Sequence, residues 1–187
     1  MKNTNTGESF EAMTDAKGNF SFEDIAREAL FEVSVERENC GNAKEKLSTV
    51  GVRGDKTLTA ELPLYCKGAV IKVENIYYDY NKADIRPDAA AELDKLVDLM
   101  NRYPVMTIEL GSHTDARGND GKNQKLSDDR AKNAVKYIVG KGIDSKRIKA
   151  KGYGEKKILN KCANNVECTD AEHEQNRRTE ITILTIE

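Results

Sequence analysis

SHTDARGNDGKNQKLSDDRA, residues Ser112 to Ala131, is the stretch whose reading decides the fold of this 187-residue chain. It passes from a strand end through a polar, turn-rich loop into a strongly patterned helix. The spacing predicts that helix over roughly Lys122 to Val139, closed by Gly140 and Gly142. Ala131, Ala134, Val135 and Ile138 form its buried stripe, while Asn123, Ser127 and Arg130 follow one edge at i, i+4 and i+7. Helical side chains lean toward the N-terminus, so Arg130 is expected to reach back toward the loop that holds Asp115. The first N–H groups of the helix and its dipole favour an anion there. A guanidinium for a carboxylate and an aspartate for an ammonium would together suit a zwitterionic ligand.

Upstream, AVIKVENIYYDYN reads as a long apolar strand. Pro87 suits a first helical turn, and Leu93, Leu96, Val97 and Met100 recur at helical spacing until Pro104. MTIELG is a strand with Met106, Ile108 and Leu110 on one face. RIKAKGYGE is a strand running into a glycine turn, and RRTEITILTI is the final strand. The order βαβαββ predicts an α+β two-layer sandwich, with helices over one face of a sheet. Before Lys67-Gly68 the pattern differs. Phe31 to Glu36 and Leu58 to Leu62 alternate as half-buried strands. A turn at Asp15-Ala16-Lys17-Gly18 precedes an alternating Phe20/Phe22 strand. The expected division is a small all-β, sandwich-like domain over 1–68 and the α+β domain over 69–187.

Bulk properties exclude several classes of function. The formal net charge is −2 with one third of residues charged, so no global field attracts nucleic acid. No apolar run is long enough to span a bilayer. The opening MKNTNTGESF lacks the apolar core of a secretory signal, which suggests a start inside a longer precursor. Four cysteines permit three pairings. Local pairing, Cys40 with Cys66 and Cys162 with Cys168, fits the spacing best and implies an oxidising compartment. The rivals are four reduced thiols, or zinc with His173 five residues after Cys168. Zinc is disfavoured because no CxxC pair exists and His113 is the one other histidine.

At Thr114-Asp115, Gly118, Asn123, Leu126-Ser127 and Arg130-Ala131 the chain resembles the OmpA-like peptidoglycan-binding domain. The likeness extends upstream to YYDYNKADIRPDAAAEL. Downstream it takes in Gly152-Tyr153-Gly154-Glu155 and Asn176-Arg177-Arg178, so that it covers Ala69 to Glu187. It implies non-covalent binding of the peptidoglycan stem peptide at its diaminopimelate residue, with Asp115 taking the ammonium and Arg130 the carboxylate. Thr114 and Asn123 match positions bordering the pocket, and Asp79 matches the acid of the first-strand motif. Ser112 stands where the family usually has Gly, and Lys122 where an aromatic residue is common. The TDAKGNFSF segment resembles carboxypeptidase-regulatory-like β-sandwich domains, implying a binding or spacer module.

The resemblance further implies a periplasmic protein tied to the outer membrane through parts outside this chain, with no cofactor and no metal. An interaction module docking an envelope protein is the alternative, and a wall hydrolase ranks third. His113, Asp115 and Ser127 are the residue types of a nucleophilic triad, yet no GxSxG elbow accompanies them. Taken singly, Asp115 would be a turn residue and Arg130 a solvated helix face. Arg177 and Arg178 are expected to be structural, pairing with carboxylates such as Glu180 or Glu155.

Overall fold

Alternating burial builds the strands of the first unit, and helical burial organises the second. The computed structural model describes residues 1–73, 85 and 87–186. Two compact units emerge, Met1–Leu64 and Tyr65–Glu187. The stretch 74–84, with Asp79 and the tyrosines at 77, 78 and 80, lies outside the described residues.

The first unit is all-β. Strands β1 (Lys2–Asn3), β2 (Leu30–Val35) and β3 (Ala43–Ser48) form an antiparallel sheet in that order. β2 buries Phe31 and Val33 on one face, as its alternation predicts. The turn at Asp15 forms: its carboxylate accepts the N–H groups of Lys17 and Asn19, each at 2.8 Å. Two expected strands do not form, because neither Phe20–Phe22 nor Leu58–Leu62 joins a ladder. Phe20 and Phe22 instead pack edge to face, 6.1 Å apart, and with Leu58 they line one cleft beside Val33 and Leu47. Alternation marked a half-buried surface there, but the backbone bonds elsewhere: the Glu61 N–H goes to the Glu45 carboxylate at 3.1 Å.

The second unit follows the expected α+β order, with an added helix near its end and a single 3-10 turn at Ser145–Arg147. It runs β4 (Val70–Val73), α1 (Pro87–Arg102), β5 (Thr107–His113), α2 (Asp120–Gly140), β6 (Ile148–Gly154), α3 (Asp170–Asn176) and β7 (Thr179–Thr185). The sheet order is β4-β7-β5-β6. β5 and β6 are parallel, as their connection through α2 requires, while β7 is antiparallel to β4 and β5.

Leu93 and Met100 of α1, Ala131 and Ile138 of α2, and Ile108, Leu110, Ile181 and Ile183 of the sheet share one core. Each large apolar side chain buried this way stabilises by about 1.5–3 kcal/mol. Arg147 closes the end of α1 by donating to the carbonyls of Met100, Tyr103 and Met106 at 2.8–2.9 Å. α2 begins two residues earlier than its spacing suggested, because the Asn119 side chain caps it. α3 was not anticipated. Its signal was present in the sequence as the capping box Thr169–Glu172, whose two reciprocal bonds both form.

Candidate functional site

A bulge sets the site's geometry. Ser112 pairs with Gly152 but His113 pairs with Gly154, so β6 carries Tyr153 as an extra residue opposite β5. Such bulges bend a strand and re-aim the residues beyond them. The Thr114 N–H then bonds the Gly154 carbonyl at 2.9 Å, which holds the start of the Asp115 loop against the end of β6.

The edge of α2 is stitched to the same place. Ser127 Oγ accepts the Gly154 N–H at 2.8 Å and donates to the Gln124 carbonyl. Asp128 accepts the Gly152 N–H at 3.0 Å, and Gln124 donates to the Gly152 carbonyl at 2.9 Å. Gly152 permits this approach, because a Cβ there would stand 2.3 Å from the Asp128 backbone nitrogen. Asn123 donates through Nδ2 to the carbonyls of Asp115 and Arg117 and to Glu155 Oε2, the last at 2.6 Å. Asn123, Ser127 and Arg130 are all buried, so this edge of α2 is enclosed along with the apolar stripe beside it.

Asp115 is 6% exposed, Thr114 4% and Arg130 6%. Asp115 Oδ2 receives Arg117 Nε at 3.2 Å, Arg117 Nη2 at 2.9 Å and Arg177 Nη1 at 2.7 Å. Its Oδ1 receives the Arg117 backbone N–H at 3.1 Å. Arg117 also reaches Asp170 at 2.7 Å, so the cluster joins the loop to α3. Burial pushes the Asp115 pKa upward, but hydrogen bonds from Arg117 and Arg177 outweigh that and hold it below the usual carboxylate range. The group is therefore an ionised carboxylate in a largely enclosed setting.

Several expectations change. Arg178 pairs with Glu180 at 2.6 Å as expected, but Arg177 pairs with Asp115 instead of Glu180 or Glu155. The first N–H groups of α2 do not present an anion site: Asn119 takes those of Gly121, Lys122 and Asn123. Asp79 lies outside the described residues. Arg117 was overlooked, although its place two residues after Asp115 in a turn was a usable local signal.

The triad residue types do not assemble. Ser127 is occupied by Gln124 and Gly154, while the His113 ring stacks on Tyr153 with centroids 4.9 Å apart. His113 Nε2 lies 3.3 Å from Glu180 Oε2. Burial, followed by the charge of Arg178, lowers the His113 pKa to about 4, so the ring is neutral at pH 7. Cys162 and Cys168 form a disulfide. Cys40 and Cys66 are each disulfide-bonded as well. Among the described residues, no helix is long and apolar enough to cross a membrane.

A sequence profile of the OmpA family matches residues 77–172, just over half of the chain. A protein of Gloeobacter violaceus named photosystem I P700 chlorophyll a apoprotein A2 is 39% identical over 116 residues, 60% of this chain and 13% of that one. Outer membrane protein A of Bordetella avium is 32% identical over 124 residues, 66% of this chain and 61% of that one. The chain thus spans 13% and 61% of these two relatives' own lengths. In fold, it is similar to the crystal structure of the peptidoglycan-associated lipoprotein from Burkholderia pseudomallei. The TM-score is 0.51 at 21% identity, covering 58% of this chain and 87% of that one.

Proposed function

Because the chain belongs to the OmpA family, we propose that its second unit binds peptidoglycan without covalent chemistry and so ties the outer membrane to the cell wall. In this reading the ligand is the stem peptide at its diaminopimelate residue. Asp115 takes the ammonium and Arg130 the carboxylate, with Thr114 and Asn123 bordering the pocket. The unequal loading of the Asp115 oxygens carries the proposal. Three donors crowd Oδ2, whereas Oδ1 accepts one N–H and keeps lone-pair capacity for an ammonium. Beside it, the buried Thr114 hydroxyl has no hydrogen-bond partner among the described residues. A buried hydroxyl left so costs about 1–3 kcal/mol, which a ligand contact would recover.

Arg130 supplies the planar fork that suits a carboxylate, and it sits on the buried edge of α2 that Asn123 and Ser127 fix in place. Asp79 remains a candidate on the resemblance alone. The chain has no catalytic role in this reading, since Ser127 serves as a clamp on Gly154. A periplasmic location agrees with the disulfide. Names of relatives such as outer membrane protein A and peptidoglycan-associated lipoprotein point the same way.

Sedimentation with purified peptidoglycan and calorimetry with diaminopimelate test the reading. Asp115→Ala and Arg130→Ala should each weaken binding by about 2–5 kcal/mol, below detection for a modest ligand. Arg130→Lys should also bind poorly, because a point charge cannot replace the fork. Unchanged binding by both folded alanine variants would refute the site. Retention of a protein partner with no affinity for wall would favour an interaction module.

A further inference from the structure

A cavity of about 320 Å³ lies between the disulfide loop and Ala116, Arg117 and Gly118, the residues that follow Asp115. Arg117, Asn164, Asn165 and Val166 line it, and His173 forms part of its wall. His173 is 7% exposed, and its Nδ1 has no hydrogen-bond partner among the described residues. Two bonds tie down the disulfide-loop wall. The Cys162–Cys168 bridge closes the loop, and Asn164 Nδ2 donates to Glu155 Oε1 at 2.6 Å. Glu155 is the same carboxylate that accepts from Asn123 on α2.

The lining has a definite chemical bias. Among the described residues it contains a guanidinium, two amides and an imidazole, and no acidic side chain. Arg117 has five N–H donors, of which Nε, one on Nη1 and one on Nη2 engage Asp115 and Asp170 among the described residues. One N–H on each terminal nitrogen is left for a further acceptor. Donors without an acid fit an anionic acceptor, and Arg117 spans the distance between this cavity and Asp115.

We propose that the cavity between the disulfide loop, Arg117 and His173 is a second subsite, taking a carboxylate of the residue next to the one held by Asp115 and Arg130. This deepens the stem-peptide reading and rests on it. Arg117 and the Asn165 amide donate to the carboxylate, and the His173 imidazole donates through Nδ1 as its Nδ1–H tautomer. The ligand class becomes an acidic dipeptide segment in place of a single zwitterionic residue.

Calorimetry on the whole chain with three probes tests it: free diaminopimelate, γ-D-glutamyl-diaminopimelate, and that dipeptide with its glutamyl α-carboxylate amidated. The wild type should prefer the acidic dipeptide to the amidated one by roughly tenfold, the scale of a hydrogen-bonded charged group. Asn165→Gly and His173→Leu should each narrow that ratio. Asn165 has a φ of 65°, which glycine adopts freely, so Asn165→Gly removes the amide and keeps the loop. It decides the matter if His173→Leu fails to fold. Equal binding of the two dipeptides by the wild type overturns the subsite and leaves Asp115 and Arg130 standing. A wild-type preference that both folded variants retain overturns it as well, since the carboxylate then binds elsewhere. Failure of all three probes to bind overturns the stem-peptide reading itself, and the subsite with it.

Discussion

Arg177 donates to Asp115 Oδ2 at 2.7 Å although 62 residues separate the two in sequence. The bond ties the approach to the last strand to the loop after β5. It leaves Asp115 oriented by one guanidinium from its own loop and another from the far end of the chain. Orientation of this kind limits how far the carboxylate must reorganise when a ligand arrives.

Removing that long-range partner should separate orientation from charge. Arg177→Met is expected to lower stability by about 1 kcal/mol, a modest loss because Arg177 is 34% exposed. Wall binding should weaken, though less than in Asp115→Ala, because Arg117 still holds the carboxylate. Urea unfolding and wall sedimentation on the same preparations check both halves. An affinity equal to wild type would show that Arg177 does not help to position Asp115.

Acid should destabilise the protein in two stages. His113 has a folded pKa lowered to about 4 against an ordinary 6.5, so between those values the unfolded chain binds a proton that the native one refuses. Stability therefore falls as pH drops through that window. Asp115 and Glu180 have pKa values held low in the fold, so their contribution is present above the ordinary carboxylate range and is lost as pH falls below it. In His113→Phe, which keeps a ring against Tyr153, the slope between pH 6.5 and 4 should flatten while the lower stage persists. Denaturant titrations at stepped pH measure this. An unaltered slope would mean another group titrates there.

Two glycines should respond differently to the same added methyl group. In Gly152→Ala the new Cβ would lie 2.3 Å from the Asp128 backbone nitrogen, so α2 must move away from β6. A cost of about 1–3 kcal/mol is expected, with weaker wall binding as Asn123 shifts. In Gly111→Ala the nearest atom is Tyr153 Cε2 at 2.9 Å, a side-chain atom farther away than the backbone nitrogen met at Gly152, in a ring that stacks on His113 and bonds Glu109. Its cost should be the smaller of the two, as read by thermal unfolding.

Both disulfides should appear in a non-reduced digest of exported protein, Cys162 joined to Cys168 and Cys40 to Cys66. Opening the first, by Cys162→Ser with Cys168→Ser, should cost about 2 kcal/mol, as expected for so short a loop. A majority of free thiols would contradict the pairing.

A chain beginning at Tyr65 and carrying Cys66→Ser should fold and bind wall by itself, because the core of the second unit and every site residue lie after that point. Circular dichroism and wall sedimentation check this. A well-folded fragment that no longer binds would assign the first unit a part in the site.

Periodicity made the second unit legible. The stripes of α1 and α2 and the alternation in β5 and β7 each report a face that must be buried, and burial is what the sequence pattern encodes. The same logic failed at Leu58–Leu62 and Phe20–Phe22, where alternating side chains line a cleft and the backbone joins no ladder among the described residues. α3 was missed because seven residues are too few to display a period; its capping box was the legible signal. Asp115 could be picked out within its motif, but its pairing with Arg177 could not. That contact depends on where β7 enters the sheet, and local spacing carries no record of it.

The placement of β7 has a kinetic consequence. It lies between β4 and β5, so among the described strands β4 has no hydrogen-bonding neighbour until residues 179–185 arrive. A nascent second unit therefore carries the edge of β4 open from residue 73 and that of β5 open from residue 113, both until β7 is made. Such edges are templates for pairing with other chains. The pairing that closes them joins residues far apart in sequence, which slows the search for it. The helices can form early and locally, but the facing edges of β4 and β5 are covered together in one late step.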